Sequence, residues 1–273
     1  VIIPAKDRVE LLERAIKSVI RCDKQNIAEI IIVDDGSDQP IPKFSFMREW
    51  DKVVRLDINS GGAIARNKGI RLASGKLIYL LDSDDEFIDI DFIKDLKVAK
   101  MNNIYYTDVK VGNHLKIFPE RITLDNFFDY ILNSHCGIAQ TSSLMFMKDS
   151  NIFFDESLPK HQDWDLILFS CLLNNINVIK KEGLIFIDWQ DNNSISRKKA
   201  PEKSNKWLYK IEKSNIISEN DYLYVELMCK ESLSNKGHLF FFMKLFTFFL
   251  KNKVSLKKFL GINYRYIKSL LGW

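Results

Sequence analysis

The chain has 273 residues, 46% of them hydrophobic and 28% charged, so it can bury a sizeable core and is not a disordered segment. Its four cysteines and four histidines are scattered, which argues against a zinc site or a disulfide framework and fits a reducing compartment. Residues 236–273 hold eight of the 40 basic residues and none of the 36 acidic ones, so a mildly acidic body precedes a basic tail.

Short apolar runs alternate with helical patterns in the first hundred residues. Strands are predicted at residues 1–3, 30–33, 53–56 and 77–81. Helices are predicted at residues 12–20, 63–73 and 90–99, where apolar residues recur every three or four positions. This alternation indicates parallel βαβ units, whose ligands bind outside the carboxyl ends of the strands.

Polar segments follow three of these strands, at residues 4–8, 34–37 and 82–85. In a parallel sheet all three gather at one edge. The three carboxylates of Asp82, Asp84 and Asp85 repel one another unless a cation lies among them, and hard oxygen ligands suit Mg²⁺ or Mn²⁺. The pattern predicts a nucleotide-and-metal site, although each segment taken alone is also typical of an ordinary turn after a strand.

The middle of the chain has a different pattern. Strands are predicted at residues 104–107, 144–147 and 185–187, and helices at 124–133 and 163–174. We interpret residues 101–191 as an α+β extension of the same domain that supplies the acceptor side. Residues 201–236 are mostly polar with a helical pattern.

Five motifs, in order and spacing, resemble the inverting bacterial glycosyltransferases of family 2. They are VIIPAKDR at residues 1–8, IVDDGS at 32–37, NSGGAIARNKGI at 59–70, ASGKLIYLLDSDD at 73–85 and QDWDL at 162–166. The resemblance implies an α/β, Rossmann-like GT-A αβα sandwich with a mainly parallel central sheet over residues 1–200. Its nucleotide-sugar half is then residues 1–100 and its acceptor half residues 101–200, followed by a helical, basic and aromatic extension over residues 201–273.

The resemblance also implies where the nucleotide-sugar binds. Pro4, Ala5, Lys6, Asp34 and Asp35 correspond to the positions that hold uracil and ribose, and carboxylates can accept from a uracil N–H or a ribose hydroxyl. Next to these positions, Gly61 and Gly62 allow close approach of the backbone, and Arg66 offers a guanidinium fork matched to phosphate. A structural ion pair is the alternative for Arg66.

Asp82 and Asp84 match the metal-binding pair of the family. Asp84 is expected to bind Mn²⁺ or Mg²⁺ directly, with Asp82 and Ser83 at the ribose or the metal shell and Asp85 as a weaker candidate. Relatives often carry His at the position of Asp191, so Asp191 is a possible oxygen ligand, with a solvated loop as the alternative.

Asp163 takes the place of the family's catalytic base. An ionised aspartate can accept the proton of an attacking acceptor hydroxyl, provided that it lies within hydrogen-bond reach. The family usually has Glu before this Asp, whereas this chain has Gln162. Asp165 is a candidate to hydrogen-bond the acceptor. The alternative is that Asp163 only opens a helix, where acidic residues are favoured.

The tail interleaves its eight cations with ten aromatic residues. Basic, aromatic-rich amphipathic helices bind anionic membrane surfaces, which is our interpretation, and packing of the phenylalanines on the body is the alternative. Nothing upstream resembles a nucleic-acid motif, so no nucleic-acid partner is expected. The longest apolar run, residues 239–250, contains Lys244 and is shorter than the ~20 residues that span a bilayer.

Taken together, the resemblance implies a metal-dependent inverting hexosyl- or N-acetylhexosaminyltransferase. It would move a sugar from a nucleotide-sugar, expected to be a UDP-sugar, to a saccharide or lipid-linked saccharide acceptor in surface polysaccharide or lipopolysaccharide biosynthesis. Its expected location is cytoplasmic and peripheral on the inner face of the membrane. The alternatives are a sugar-phosphate nucleotidyltransferase and an inactive nucleotide-sugar-binding module.

Overall fold

The computed structural model describes residues 1–133, 140–188 and 201–214, with isolated positions between 216 and 264. Asp191 and most of the tail lie outside the described residues. The chain divides into two compact units, Val1–Ser194 and Ile195–Trp273. The predicted boundary near residue 200 and the roles of the two halves stay predictions. Within the described part, no helix combines the length and the apolar character needed to cross a bilayer.

Strands and helices alternate through the described part of the first unit. The strands are β1 (Ile2–Ala5), β2 (Ile31–Asp34), β3 (Lys52–Arg55), β4 (Leu77–Tyr79), β5 (Glu86–Asp89), β6 (Asn103–Val111), β7 (His114–Lys116), β8 (Arg121–Ile122), β9 (Met145–Met147) and β10 (Asn177–Ile187). The helices are α1 (Val9–Cys22), α2 (Gly62–Leu72), α3 (Phe92–Val98), α4 (Leu124–Asn133) and α5 (Gln162–Asp165). In the second unit, α6 spans Pro201–Ser214.

The first three strands form a parallel sheet in the order β1-β2-β3, as the βαβ pattern predicts. All four residues of β2 are buried, which is typical of a parallel strand covered on both faces. Leu80, just after β4, bridges Ile2 in parallel and so joins this sheet to the next. The carboxyl ends of β1, β2 and β4 therefore reach the same edge.

The second sheet runs in the order β4-β9-β6-β10-β5, with β7 on β6 and β8 on β10. Only the β6–β10 pair is parallel among its described pairs, so this half is mixed, in keeping with the predicted α+β extension. The sequence patterns missed the short strands β5, β7 and β8. They also placed strands at residues 104–107 and 185–187, whereas β6 and β10 extend over nine and eleven residues.

Two helices pack near the strand ends, α1 against β5 and α2 against β1 and β2. In α1, Leu12, Ala15, Ile16 and Val19 form the buried face, which leaves charged residues on the other side. In α2, a Cβ at Gly69 would lie 2.3 Å from Cγ2 of Ile2, so only glycine lets the helix pack this closely on β1. That close packing fixes Arg66, one turn earlier, at the strand ends.

The predicted helix at residues 163–174 is helical but irregular. α5 continues into a π-helical segment, Leu166–Cys171, and a 3₁₀ turn, Leu172–Asn174, before Asn175 ends it with a positive φ of 58°. π-helical insertions are frequent at functional sites because they re-aim side chains. This irregularity lies directly after Asp163 and Asp165.

Candidate active site

The three polar segments predicted to converge are in contact. The backbone N–H of Asp35 donates to the carbonyl of Ala5 at 2.9 Å, and that of Asp7 donates to Oγ of Ser37 at 3.0 Å. From the end of the first segment, Arg8 Nη1 donates to Asp84 Oδ2 at 2.8 Å. The segments that follow β1, β2 and β4 thus meet at one edge of the fold.

Asp34 is buried and its carboxylate is bound within the protein. It accepts hydrogen bonds from the N–H groups of Ser37 (2.9 Å) and Ile41 (3.2 Å) and from Arg55 Nη1 (2.7 Å). Burial alone would raise the pKa of Asp34, but these donors lower it below the ordinary value. Asp34 therefore holds the loop after β2, and its contact with a nucleotide stays a prediction.

Asp35 fixes the segment that leads into α2. Its two carboxylate oxygens accept from the N–H groups of Ser60 (2.6 Å) and Gly61 (2.8 Å). Gly36 has φ 67°, and a Cβ there would lie 2.5 Å from the backbone nitrogen of Asn59. The glycine is therefore required where two backbone segments meet beside the predicted uracil site.

The other three predicted nucleotide contacts lie at the end of β1. Pro4 and Ala5 are the last two residues of that strand, and Ala5 is 4% exposed, so it can present little more than its backbone. Lys6 follows them with a side chain that is 39% exposed. Of the three, Lys6 is the side chain that solvent, and hence a ligand, can reach most readily.

The acidic turn after β4 presents two carboxylates that are paired with arginines. Asp82 Oδ1 accepts from Arg66 Nη2 at 2.5 Å, and Asp84 pairs with Arg8. Ser83 is buried between them. Arg66 therefore forms an ion pair within the protein, which was the alternative to phosphate binding. Direct contact of Arg66 with a phosphate stays a prediction.

Asp85, the third carboxyl of the turn, is 6% exposed. Burial, followed by the charges of Asp82 and Asp84, raises the pKa of Asp85 well above its ordinary value. The ionised form of Asp85 is therefore disfavoured in this turn.

Arg66 connects the acidic turn to the helix that carries the predicted base. Its Nη1 donates to Oε1 of Gln162 at 3.0 Å while its Nη2 donates to Asp82. The guanidinium also lies over the ring of Phe154, 5.3 Å from the centroid. A Cβ at Gly62 would lie 2.8 Å from Nη1, so the glycine leaves room for this arrangement. One side chain therefore brings Asp82 and the start of α5 to the same cleft.

Asp163 follows Gln162 at the start of α5. Burial raises the pKa of Asp163 to about 6, and the Asp82 charge adds to the increase, whereas the N–H of Trp164 and the Arg66 guanidinium oppose it. Trp164 stacks on His161, with centroids 4.3 Å apart, and His161 has φ 61°, which turns the chain into the helix. Asp165 is buried at 1% exposure. A carboxyl with a pKa near 6 is a competent proton acceptor at neutral pH.

The donor set fits a divalent cation of the kind that the family implies. The side chains of Asp82 and Asp84 are 32% and 17% exposed and offer hard oxygen donors on one turn. No group of three or more His, Cys, Asp or Glu side chains in the described residues is arranged as a metal cage. Two carboxylates suffice for Mg²⁺, which commonly takes the rest of its shell from substrate phosphates and water.

Asp188 is a site residue that the sequence reasoning missed. It follows the last residue of β10, its Oδ2 accepts from Arg14 Nη2 at 2.7 Å, and its N–H donates to Asp85 Oδ1 at 3.0 Å. The signal was available, because Asp188 is polar and follows an apolar run as Asp34 and Asp82 do. Asp191, the candidate in this region, lies outside the described residues.

Comparison with solved structures identifies the class to which this fold belongs. The chain superposes on S. aureus TarS, residues 1–349, solved in complex with UDP-GlcNAc, with a TM-score of 0.58 at 17% identity. The match covers 98% of this chain and 80% of that chain. The architecture is the GT-A glycosyltransferase fold that the motifs implied.

Comparison of sequences identifies the family. Residues 1–131 match the family model described as Glycosyl transferase family 2. An uncharacterized glycosyltransferase of Rickettsia conorii is 31% identical over 192 residues, which are 67% of this chain and 31% of that protein. The UDP-Glc:alpha-D-GlcNAc-diphosphoundecaprenol beta-1,3-glucosyltransferase WfgD of Escherichia coli is 28% identical over 220 residues, 76% of this chain and 83% of that protein. The chain spans about a third of the Rickettsia relative, and it belongs to glycosyltransferase family 2.

Proposed function

We propose that this protein is a metal-dependent, inverting glycosyltransferase. It transfers a hexose or N-acetylhexosamine from a UDP-sugar to a saccharide or lipid-linked saccharide acceptor in bacterial surface polysaccharide or lipopolysaccharide biosynthesis. The observation that carries this proposal is the bridge made by Arg66 between Asp82 and Gln162. It supports the proposal because it joins the acidic turn to the residue directly before Asp163.

Asp163 is the general base of the transfer. Its carboxylate takes the proton of an acceptor hydroxyl while that oxygen attacks the anomeric carbon of the donor sugar. The bond from the anomeric carbon to the diphosphate oxygen breaks, and its electron pair leaves with UDP. Attack from the face opposite the diphosphate inverts the configuration at the anomeric carbon.

Asp82 and Asp84 would hold Mn²⁺ or Mg²⁺, which when bound neutralises charge on the departing diphosphate. Lys6 and Asp35 lie at the edge where the nucleotide would bind, Lys6 by its exposed side chain and Asp35 through the loop that it orders. Arg8 and Arg66 pair with the side chains of Asp84 and Asp82 and would face the phosphates.

Two comparisons support the choice of donor and acceptor. WfgD, by its name, takes glucose from UDP-Glc to a GlcNAc carried on diphosphoundecaprenol, a lipid-linked acceptor. TarS was solved with UDP-GlcNAc, so the GT-A fold accommodates a uridine diphosphate sugar. A lipid-linked acceptor also accounts for the basic, aromatic tail, which would attach the enzyme to the anionic inner face of the membrane.

The test is release of UDP from a panel of UDP-sugars, with Mn²⁺ or with EDTA, in the presence of a short saccharide diphospholipid acceptor. We expect UDP release with Mn²⁺ from at least one donor, its loss in EDTA, and a product whose NMR spectrum shows inverted anomeric configuration. A retained configuration would contradict the role of Asp163. Exchange of pyrophosphate into a nucleoside triphosphate would favour a nucleotidyltransferase, and binding without turnover would favour an inactive module.

A further inference from the structure

The hydrogen bonds around Asp85 differ from those of the other two acidic residues in its turn. Asp82 and Asp84 pair with arginines, whereas both oxygens of Asp85 accept from the protein's own framework. Oδ2 accepts from the hydroxyl of Ser142, and Oδ1 accepts from the N–H of Asp188 at 3.0 Å. Asp85 therefore contacts two other segments of the fold and does not face the cleft.

Ser142 extends this contact back to the turn. It is 1% exposed, in the 3₁₀ turn Thr141–Ser143 before β9, and its Oγ accepts from the N–H of Asp82 at 3.0 Å. The Ser142 hydroxyl thus uses its hydrogen on Asp85 and its lone pair on Asp82. A side chain that lacked either function would leave a buried polar group unsatisfied.

Arg14 of α1 supports the other side of the turn. Its Nη2 donates to the backbone carbonyl of Asp84 at 2.8 Å and to Oδ2 of Asp188 at 2.7 Å. Besides the ion pairs of Asp82 and Asp84 with Arg66 and Arg8, the turn is therefore held at the N–H of Asp82, the carbonyl of Asp84 and the side chain of Asp85. Three elements of the fold, α1, the 3₁₀ turn and the end of β10, supply the partners of these three groups.

We propose that Asp85 is a positioning residue which, with Ser142 as its relay, fixes the carboxylates of Asp82 and Asp84 for the donor diphosphate and its cation. This inference rests on the proposed function. Hydrogen bonds behind metal ligands orient those ligands, and losing one commonly costs about 10- to 100-fold in metal affinity or activity. Asp85 thus acts through its neighbours, although it belongs to the same acidic turn.

The chain offers a matched pair of variants for the test. Ser142→Ala removes the relay hydroxyl, whereas Ser143→Ala removes a hydroxyl that is equally buried in the same turn. The Ser143 hydroxyl donates to the carbonyl of Gln140 at 2.8 Å, and no hydrogen bond of its side chain involves Asp82 or Asp85. Ser142→Ala deletes two hydrogen bonds and Ser143→Ala deletes one, so Ser143→Ala controls for the loss of a buried hydroxyl from this turn, and the unfolding free energy of each variant is measured beside it.

The experiment measures three quantities on the full chain, namely amide hydrogen exchange, affinity for Mn²⁺ with UDP, and kcat and KM for UDP release. In Ser142→Ala we expect exchange at Asp82 to quicken by several-fold to about tenfold, and affinity for Mn²⁺ with UDP to fall by about 10-fold or more. Ser143→Ala should change neither by more than about twofold, and Asp85→Asn should resemble Ser142→Ala because an amide cannot accept at both positions.

Two results would overturn the inference. One is equal behaviour of Ser142→Ala and Ser143→Ala in exchange and affinity. The other is faster exchange at Asp82 with unchanged affinity, because the relay would then serve the fold alone. If the parent protein neither binds Mn²⁺ with UDP nor releases UDP, the proposed function fails. Exchange at Asp82 and Asp188 then decides separately whether the relay holds the turn.

Discussion

Two buried carboxyls of the first unit, Asp85 and Asp95, have opposite electrostatic surroundings. Asp95, in α3, accepts from the hydroxyl of Tyr79 at 2.7 Å and from Nζ of Lys181 at 2.6 Å, so one cation balances it. Asp85 shares its turn with two further carboxylates, and their charges add to the effect of burial in raising its pKa. The carboxyl of Asp95 is paired with a cation, whereas that of Asp85 accepts hydrogen bonds from a hydroxyl and a backbone N–H and has no cation among these partners.

This difference distinguishes the Asp95 cluster, which stabilises the fold, from the Asp85 cluster, which is a candidate for catalysis. A balanced, fully hydrogen-bonded pair such as Lys181–Asp95 needs nothing more from a ligand. The carboxyl of Asp85 lies beside two like charges, and its strongly raised pKa marks the acidic turn as a candidate functional site, because perturbed carboxyls cluster at active sites. Variants in the two clusters should therefore affect different quantities, stability in the first and catalysis in the second.

The largest effect is expected for Asp163→Asn. Loss of the general base should lower kcat for UDP release by about 10²–10⁴-fold. Stability should not fall, because burial disfavours the ionised carboxylate that the amide replaces. Steady-state kinetics and thermal unfolding measure the two quantities, with the exposed Asp149→Asn as control. Activity within tenfold of the parent would remove Asp163 from the mechanism.

Lys181→Met should lower stability and leave catalysis unchanged. It leaves Asp95 buried without its cation, so the free energy of unfolding should fall by about 3–5 kcal/mol, while kcat/KM of the folded protein stays unchanged. Urea denaturation measures the loss, and adding Asp95→Asn should restore part of it. Lys94→Met, in the exposed pair with Glu182, should leave the unfolding midpoint unchanged. Equal losses in the two lysine variants would contradict this assignment.

The pH dependence of kcat/KM should follow the pKa of Asp163. The base must be ionised, so below about pH 6 kcat/KM should fall by about tenfold per pH unit, and this limb should be absent in Asp163→Asn. The contribution of Asp163 to the free energy of unfolding changes with pH in the opposite direction to kcat/KM. Because the folded carboxyl holds its proton more tightly than its ordinary value of 3.8 allows, that contribution decreases as pH rises from 3.8 to about 6.

The smallest effect is expected for Arg66→Lys. A lysine keeps the charge but cannot bridge Asp82 and Gln162 with a planar fork, so kcat/KM should fall by about tenfold. Arg71→Lys is the matched control, since Arg71 lies on the same helix and makes a more exposed pair with Glu156 at 3.2 Å. The bridge would lose its proposed role if both variants had the same kinetics.

The parallel half of the fold and its cleft could be predicted from the sequence. β2 is a continuous apolar run, α1 has a clear apolar face, and polar residues mark the strand ends. β5, β7 and β8 could not be predicted, because their sequences, EFID, HLK and RI, contain few apolar residues, and β5 and β8 pair with β10, which is distant in the chain. The structure also shows β10 to be far longer than its apolar end suggested.

The sequence was enough to predict which carboxylates belong to the candidate site, but not which groups form hydrogen bonds with them. The sequence could not reveal that the carboxylate of Asp34 accepts hydrogen bonds from Ser37, Ile41 and Arg55, because those contacts depend on the path of the loop. Nor could it reveal that Ser142 and Asp188 contact Asp85, since 57 and 103 residues separate them. Such contacts follow from the sheet order, which only the folded chain shows.

In the proposed mechanism, Asp82 and Asp84 hold a divalent cation beside the donor diphosphate, opposite Asp163. Anomalous scattering from a crystal grown with Mn²⁺ and UDP tests it most directly. We expect a manganese peak at coordinating distance from Asp84, in contact with the diphosphate and on the same side of the fold as Asp163. A UDP molecule bound elsewhere, or bound there with manganese absent from the acidic turn, would contradict it.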